Sequence, residues 1–148
     1  MNRKYLYRAK SCEKDKFFKI EKDEWVYGSL MFDELQNDYV IQNTKGEDII
    51  STNVKKSTIC EYSNQNDVDG VPIYEFDIVA FPLEGETALA FVKLCDGAYR
   101  LFEKLNQKWS TEILDRESIE ILKYKVVGNI FDDKELTEVF KSWWHQNK

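Results

Sequence analysis

The chain is poor in the residues that punctuate, crosslink or catalyse. Two prolines and six glycines among 148 residues exclude collagen-like and low-complexity classes. The one histidine, His145, speaks against histidine acid–base catalysis and against a Ser-His-Asp or Cys-His arrangement. Near the end of a helix it reads as a solvated residue at the negative end of the dipole. Cys12, Cys60 and Cys95 are odd in number and far apart, with no CxxC pair, unlike an exported disulfide framework. Each reads as a small buried hydrophobe. No apolar run approaches the roughly 18–20 residues that span a bilayer. The opening Met-Asn-Arg-Lys-Tyr-Leu-Tyr-Arg lacks the apolar stretch of a signal peptide. A cytoplasmic protein with no membrane contact is expected. Neither GxxxxGK[ST] nor GxGxxG occurs, and no metal cage can be assembled from ordinary ligands. No cofactor, metal or catalytic residue is expected.

What is present is apolar bulk, aromatic rings and charge. The hydrophobic fraction is 43%, enough for a real core and too much for a disordered chain. Net charge is −6, which disfavours a general binder of the phosphate backbone. The charge is uneven, however. Residues 1–22 hold eight basic and three acidic groups, a net of +5, and the remainder carries −11. The basic start reads as a strand pair lying against an acidic body or a neighbouring subunit. The sharper alternative is a nucleic-acid contact through Arg3, Lys4 and Arg8. Tyr5, Tyr7, Phe17 and Phe18 lie among those cations, in the pattern that stacks bases, or as one half-buried sheet face.

Short β segments divided by turn residues make up most of the chain. Strands are expected at Tyr5–Ala9, Phe17–Ile20, Trp25–Phe32, Tyr39–Gln42, Ile49–Thr52 and Thr58–Tyr62. The polar Ser63–Asp67 reads as a loop, and Asp69-Gly70 as a turn. Further strands are expected after Pro72, at Asp77–Phe81 with Pro82 ending it, and at Leu89–Cys95. Tyr99–Leu105, Ile119–Leu122 and Lys125–Phe131 complete the set. Asp96-Gly97 suits a type I′ hairpin. Leu136, Val139, Phe140, Trp143 and Trp144 fall on one helical stripe, which predicts a helix over Asp133–His145 capped by Asp132 with Glu135 three residues on. The fold class is mainly β (α+β): a small open or partly closed β-barrel with extra hairpins and a C-terminal α-helix. It is expected as a single domain, 1–148, with a hairpin region (1–56), a barrel-like core (57–131) and the helix (132–148).

Three stretches then resemble the YopX-like family of phage and prophage proteins. The first is Thr58–Ser63 through Asp69-Gly70-Val71-Pro72-Ile73-Tyr74-Glu75-Phe76-Asp77-Ile78-Val79, similar to the family's Gln-Tyr-Thr-Gly-like turn followed by Ile-Tyr-Glu-Gly-Asp-Ile-Val. The second is Val126-Val127-Gly128-Asn129-Ile130-Phe131-Asp132-Asp133-Lys134-Glu135-Leu136, similar to Val-Ile-Gly-Asn-Ile-Tyr-Glu-Asn-Pro-Glu-Leu. Tyr7-Arg8-Ala9 with Trp25–Leu30 is a weaker third. Two departures stand out: Phe76 replaces a glycine, and Cys60-Glu61 replaces Gly-Gln. Ser11–Lys22 is also longer than the pattern. The resemblance implies a mostly β fold, a bacteriophage setting, self-assembly and no assigned catalysis. The matched residues are Tyr62, Gly70, Ile73, Tyr74, Asp77, Val79, Gly128 and Asn129. Asp77 is expected to accept backbone N–H groups, Tyr74 to pack its ring, and Gly128 to allow a bulge or close approach.

Three functions follow from these readings. The first is an accessory protein without catalysis that self-assembles or binds a host protein, with Trp143 and Trp144 as contact candidates because one helix needs fewer rings to dock. The second is a nucleic-acid-binding module using the basic start. The third is a carboxylate-dependent hydrolase, for which Glu84/Glu86 and Asp132/Asp133 are the obvious acid pairs. A solvated turn for the first pair and helix capping for the second are the favoured readings.

Overall fold

Closely spaced turns favour antiparallel neighbours, and in the structure, a computed structural model, eight pairs of neighbouring strands among the described residues are antiparallel. Residues 6–103, 108–135, 138 and 141–142 are described. The chain forms two compact units, Met1–Tyr62 and Ser63–Lys148.

In the first unit the strands are β1 (Tyr7–Lys10), β2 (Trp25–Asp33), β3 (Asp38–Lys45), β4 (Asp48–Asn53) and the start of β5 (Cys60–Asn66). The nine-residue β2 serves two partners in succession. Trp25–Gly28 pairs with β1, and Ser29–Asp33 pairs with β3. Gly28 stands at the switch, where a Cβ would lie 2.1 Å from the Gln42 carbonyl oxygen. Only glycine permits that approach. The sheet then curls. Ser11 bridges Val54, the Cys12 N–H donates to the Asn53 carbonyl at 2.9 Å, and the Lys55 N–H donates to Lys10 at 2.8 Å. Ala9, Val26, Ile41 and Val54 fill the interior, flanked by Tyr7, Ile20, Leu30, Tyr39 and Ile59. Phe17–Ile20, expected as a strand, is a tight turn instead.

β5 carries the chain into the second unit, where Ser63–Asn66 is strand rather than loop. Ser63 is buried, and its hydroxyl donates to the Ile73 carbonyl of β6 (Pro72–Tyr74) at 2.6 Å. That bond removes the cost of placing a polar residue inside. The six strands run in the order β4-β3-β2-β1-β5-β6. A second sheet has the order β10-β9-β8-β7-β11, formed by β7 (Asp77–Leu83), β8 (Glu86–Cys95), β9 (Ala98–Glu103), β10 (Lys108–Ile113) and β11 (Lys125–Asn129). Two type I′-like turns set its register. Asp96 and Gly97 have φ of 53° and 81°, and Glu84 and Gly85 have 51° and 80°. Pro82 does not end β7, as expected from its missing N–H. It pairs with Thr87, while β11 reaches only to Ala80. Pro82 therefore has a strand neighbour on one side only, where proline is tolerated.

Ile119–Leu122 is also corrected. It belongs to helix α1 (Arg116–Leu122), begun by a capping box in which Asp115 accepts from the Ser118 N–H at 2.8 Å and the Ser118 hydroxyl accepts from the Asp115 N–H. Ile119 enters the main core with Ile73, Val79, Phe81, Ala90, Val92, Leu101 and Tyr124. Near the C-terminus Lys134, Glu135, Glu138, Lys141 and Ser142 are helical and exposed, as the polar face of the expected helix should be. Its apolar stripe, Trp143 and Trp144 included, lies outside the described residues. The protein is mostly β, with two open antiparallel sheets and a C-terminal helix.

Candidate functional site

β7 and β11 bring together two sequence stretches about fifty residues apart. Their register sets Asp77 opposite Asn129 and Ile78 opposite Gly128, with an irregularity between Val126 and Gly128. Each stretch contributes a tight turn at this end of the strand pair. In the first, Asp77 is 1% exposed and its Oδ2 accepts the Tyr74 N–H at 2.8 Å. In the second, Asn129 is buried and its Oδ1 accepts the N–H groups of Phe131 and Asp132, both at 2.9 Å. Its Nδ2 donates to Asp132 Oδ2 at 3.1 Å. Short side chains that replace missing ladder partners hold turns in this way.

The two turns are joined directly. The Ile130 N–H donates to the Phe76 carbonyl at 3.1 Å, and the Phe76 N–H donates to Val92 on β8 at 2.7 Å. The rings of Phe76 and Phe131 meet edge to face at 5.9 Å. Lys93 Nζ sits 5.2 Å from the centre of the Phe76 ring, within cation–π range. Glu75 Oε2 accepts the Leu94 N–H at 2.9 Å. The result is a corner that displays an acid, a cation and two rings over a buried, hydrogen-bonded floor. Among the described residues no group of three or more His, Cys, Asp or Glu is placed to hold a metal ion.

A model of the YopX family, described as YopX protein, matches residues 6–138. The chain belongs to the YopX family. No curated protein and no solved structure matches it.

Both strong motif stretches of this YopX chain thus converge on one corner. Tyr74, Asp77, Asn129 and Phe76 meet there, while Ile73 and Val79 lie fully buried beneath in the core. Phe76 has a φ of 69°, so the turn keeps the backbone form that favours glycine despite carrying a phenyl ring. Gly128 lies at the expected bulge. A Cβ there would meet nothing nearer than Asp133 Cβ at 3.8 Å, so no close approach demands glycine. Gly70 sits apart in the Asp69-Gly70 turn, with a φ of 83°.

Tyr62 is half-buried, which pushes its phenol above the ordinary value. Of the candidate nucleic-acid contacts, Arg8 is 6% exposed, with its guanidinium 4.6 Å from the centre of the Trp25 ring. It packs within its sheet and offers no open phosphate site. Arg3 and Lys4, like Trp143 and Trp144, lie outside the described residues. Glu84 and Glu86 flank an exposed turn, and Asp132 is engaged by Asn129.

Sequence reasoning missed Asp67. It is 3% exposed, and its carboxylate accepts three N–H groups: Asp69 at 2.8 Å, Val71 at 2.9 Å and Val126 at 2.9 Å. It ties the loop after β5 to β11. The Asp-x-Asp-Gly spacing was the available signal, since Asp commonly bonds two residues onward.

Proposed function

We propose that this phage-type protein acts without catalysis, by presenting shaped surfaces to other protein chains, whether copies of itself or a host protein. The observation that supports this reading is apolar surface held out at the end of the β2–β3 hairpin. Leu35 is 99% exposed, and Met31 and Phe32 are about half exposed beside it. The turn is built to hold that form: Asp33 Oδ1 accepts the Leu35 and Gln36 N–H groups. Apolar side chains held at a fixed turn are surface of the kind that other chains can cover.

Light scattering over a wide concentration range, with affinity capture from a bacterial host lysate, tests the reading. Assembly or specific capture that is lost in a Met31→Ser, Phe32→Ser, Leu35→Ser variant is expected. A strict monomer that retains nothing overturns it.

A further inference from the structure

We propose that the tip Lys16-Phe17-Phe18-Lys19 is a stacking site for a single-stranded nucleic acid. This goes beyond the protein-contact reading and stands independently of it.

The excursion leaves β1 after Lys10 and rejoins the sheet at Trp25. It closes on itself through two backbone bonds between Asp15 and Ile20, at 2.7 and 2.9 Å. Asp15 Oδ1 also accepts the N–H groups of Phe17 and Phe18, at 2.9 and 3.1 Å. Lys19 completes the turn with a φ of 57°. The outcome is a four-residue tip of fixed form. Phe18 is half-buried and meets Phe17 edge to face at 4.7 Å, which leaves Phe17 81% exposed.

Of the five acids of this excursion Glu13 is exposed, and the other four are engaged. Asp15 is committed to the turn, and Glu24 Oε2 accepts the Glu21 N–H. Glu21 pairs with Lys14 at 3.7 Å, and Asp23 pairs with Lys55. Among the described residues Lys16, Lys19 and Lys22 have no ion-pair partner. One flat ring flanked by uncommitted lysines matches a ligand of alternating bases and phosphates.

The test is fluorescence anisotropy of a labelled oligo(dT) strand with the full chain at low salt. Salt-sensitive binding is expected, with log K against log salt falling with a slope of about −2 for three lysines. Phe17→Ala should weaken binding about tenfold with the slope unchanged. Lys16→Ala with Lys19→Ala should flatten the slope by about 1.4. These exposed positions leave folding intact, which circular dichroism checks. Absent binding, indifference to Phe17→Ala, equal affinity for duplex, or stronger retention on phosphatidylserine vesicles each overturns the proposal.

Discussion

The two units use the same antiparallel pairing and differ in charge balance. The first carries eleven basic and eleven acidic residues, whereas the second carries ten and sixteen. The first curls around a small cluster of four buried apolar side chains and leaves Phe17, Leu35 and Ile49 strongly exposed, as the second leaves Ile121 and Val127. The second buries a larger cluster and fixes its turns with side-chain carboxylates and amides. A small curled sheet has too little interior to take all its apolar residues. Carboxylates fix turns in the first unit too, at Asp15 and Asp33, and the second adds the corner where the YopX motif stretches meet.

The contrast is sharpest at two glycines. Gly28→Ala should cost more than about 3 kcal/mol, because its Cβ would press on the Gln42 backbone at 2.1 Å and neither strand can yield without losing register. Gly128→Ala should cost within about 1 kcal/mol, since the added methyl meets only ordinary contact. Urea unfolding of both variants decides the matter. Equal costs would show that β2 relaxes at its switch, and the account of the curl would be wrong.

The next effect lies in the second unit. Asp67→Ala strands three backbone donors and should cost about 3 kcal/mol, with Asp67→Asn nearer 1–2 kcal/mol because its amide still accepts at one atom. Hydrogen exchange at the Val71 and Val126 amides reads the same loss locally. Phe76 provides a finer comparison. Phe76→Gly relieves a positive φ worth about 1 kcal/mol while losing an edge-to-face contact worth about 1 kcal/mol. The two nearly cancel. Phe76→Ala loses the ring and keeps the strain, so it should be about 1 kcal/mol less stable than Phe76→Gly. The reverse order would show that the turn changes form once the ring is gone.

Much of the β framework was legible from local chemistry. Asp96-Gly97 announced its hairpin and Pro72 its strand start. The errors share a cause: tertiary partners overrode local character. Ser63–Asn66 looked like a polar loop because the Ile73 carbonyl that satisfies Ser63 comes from elsewhere in the chain. Ile119–Leu122 looked like a strand because α1 is too short to show a helical period, although the Asp115/Ser118 capping pair was in view. Phe17–Ile20 looked like a strand from its rings, while Asp15 was already positioned to bend it. The corner was legible only as two motif stretches. Their meeting depends on the β7–β11 register, which no spacing in the sequence encodes.

Acid titration separates the units by the smallest margin. Asp115 lies below the usual carboxylate range because the Ser118 N–H, and then its hydroxyl, bond the charged form. Asp23 lies below it chiefly through the Lys55 ammonium. A carboxylate with a lowered folded pKa contributes stability in full above its unfolded value, about 3.9. It loses that contribution as pH falls through the lowered folded value. Both contributions should therefore hold at neutral pH and fade only in strong acid. Salt distinguishes them: the Asp23–Lys55 pair is exposed and screened, whereas the capping bond at Asp115 is short-ranged. Asp115→Asn, which still caps a helix, should flatten the acid limb equally at low and high salt. Lys55→Met should flatten it at low salt alone. Identical salt responses in the two variants would show that Asp115 acts through long-range charge, contrary to the capping geometry.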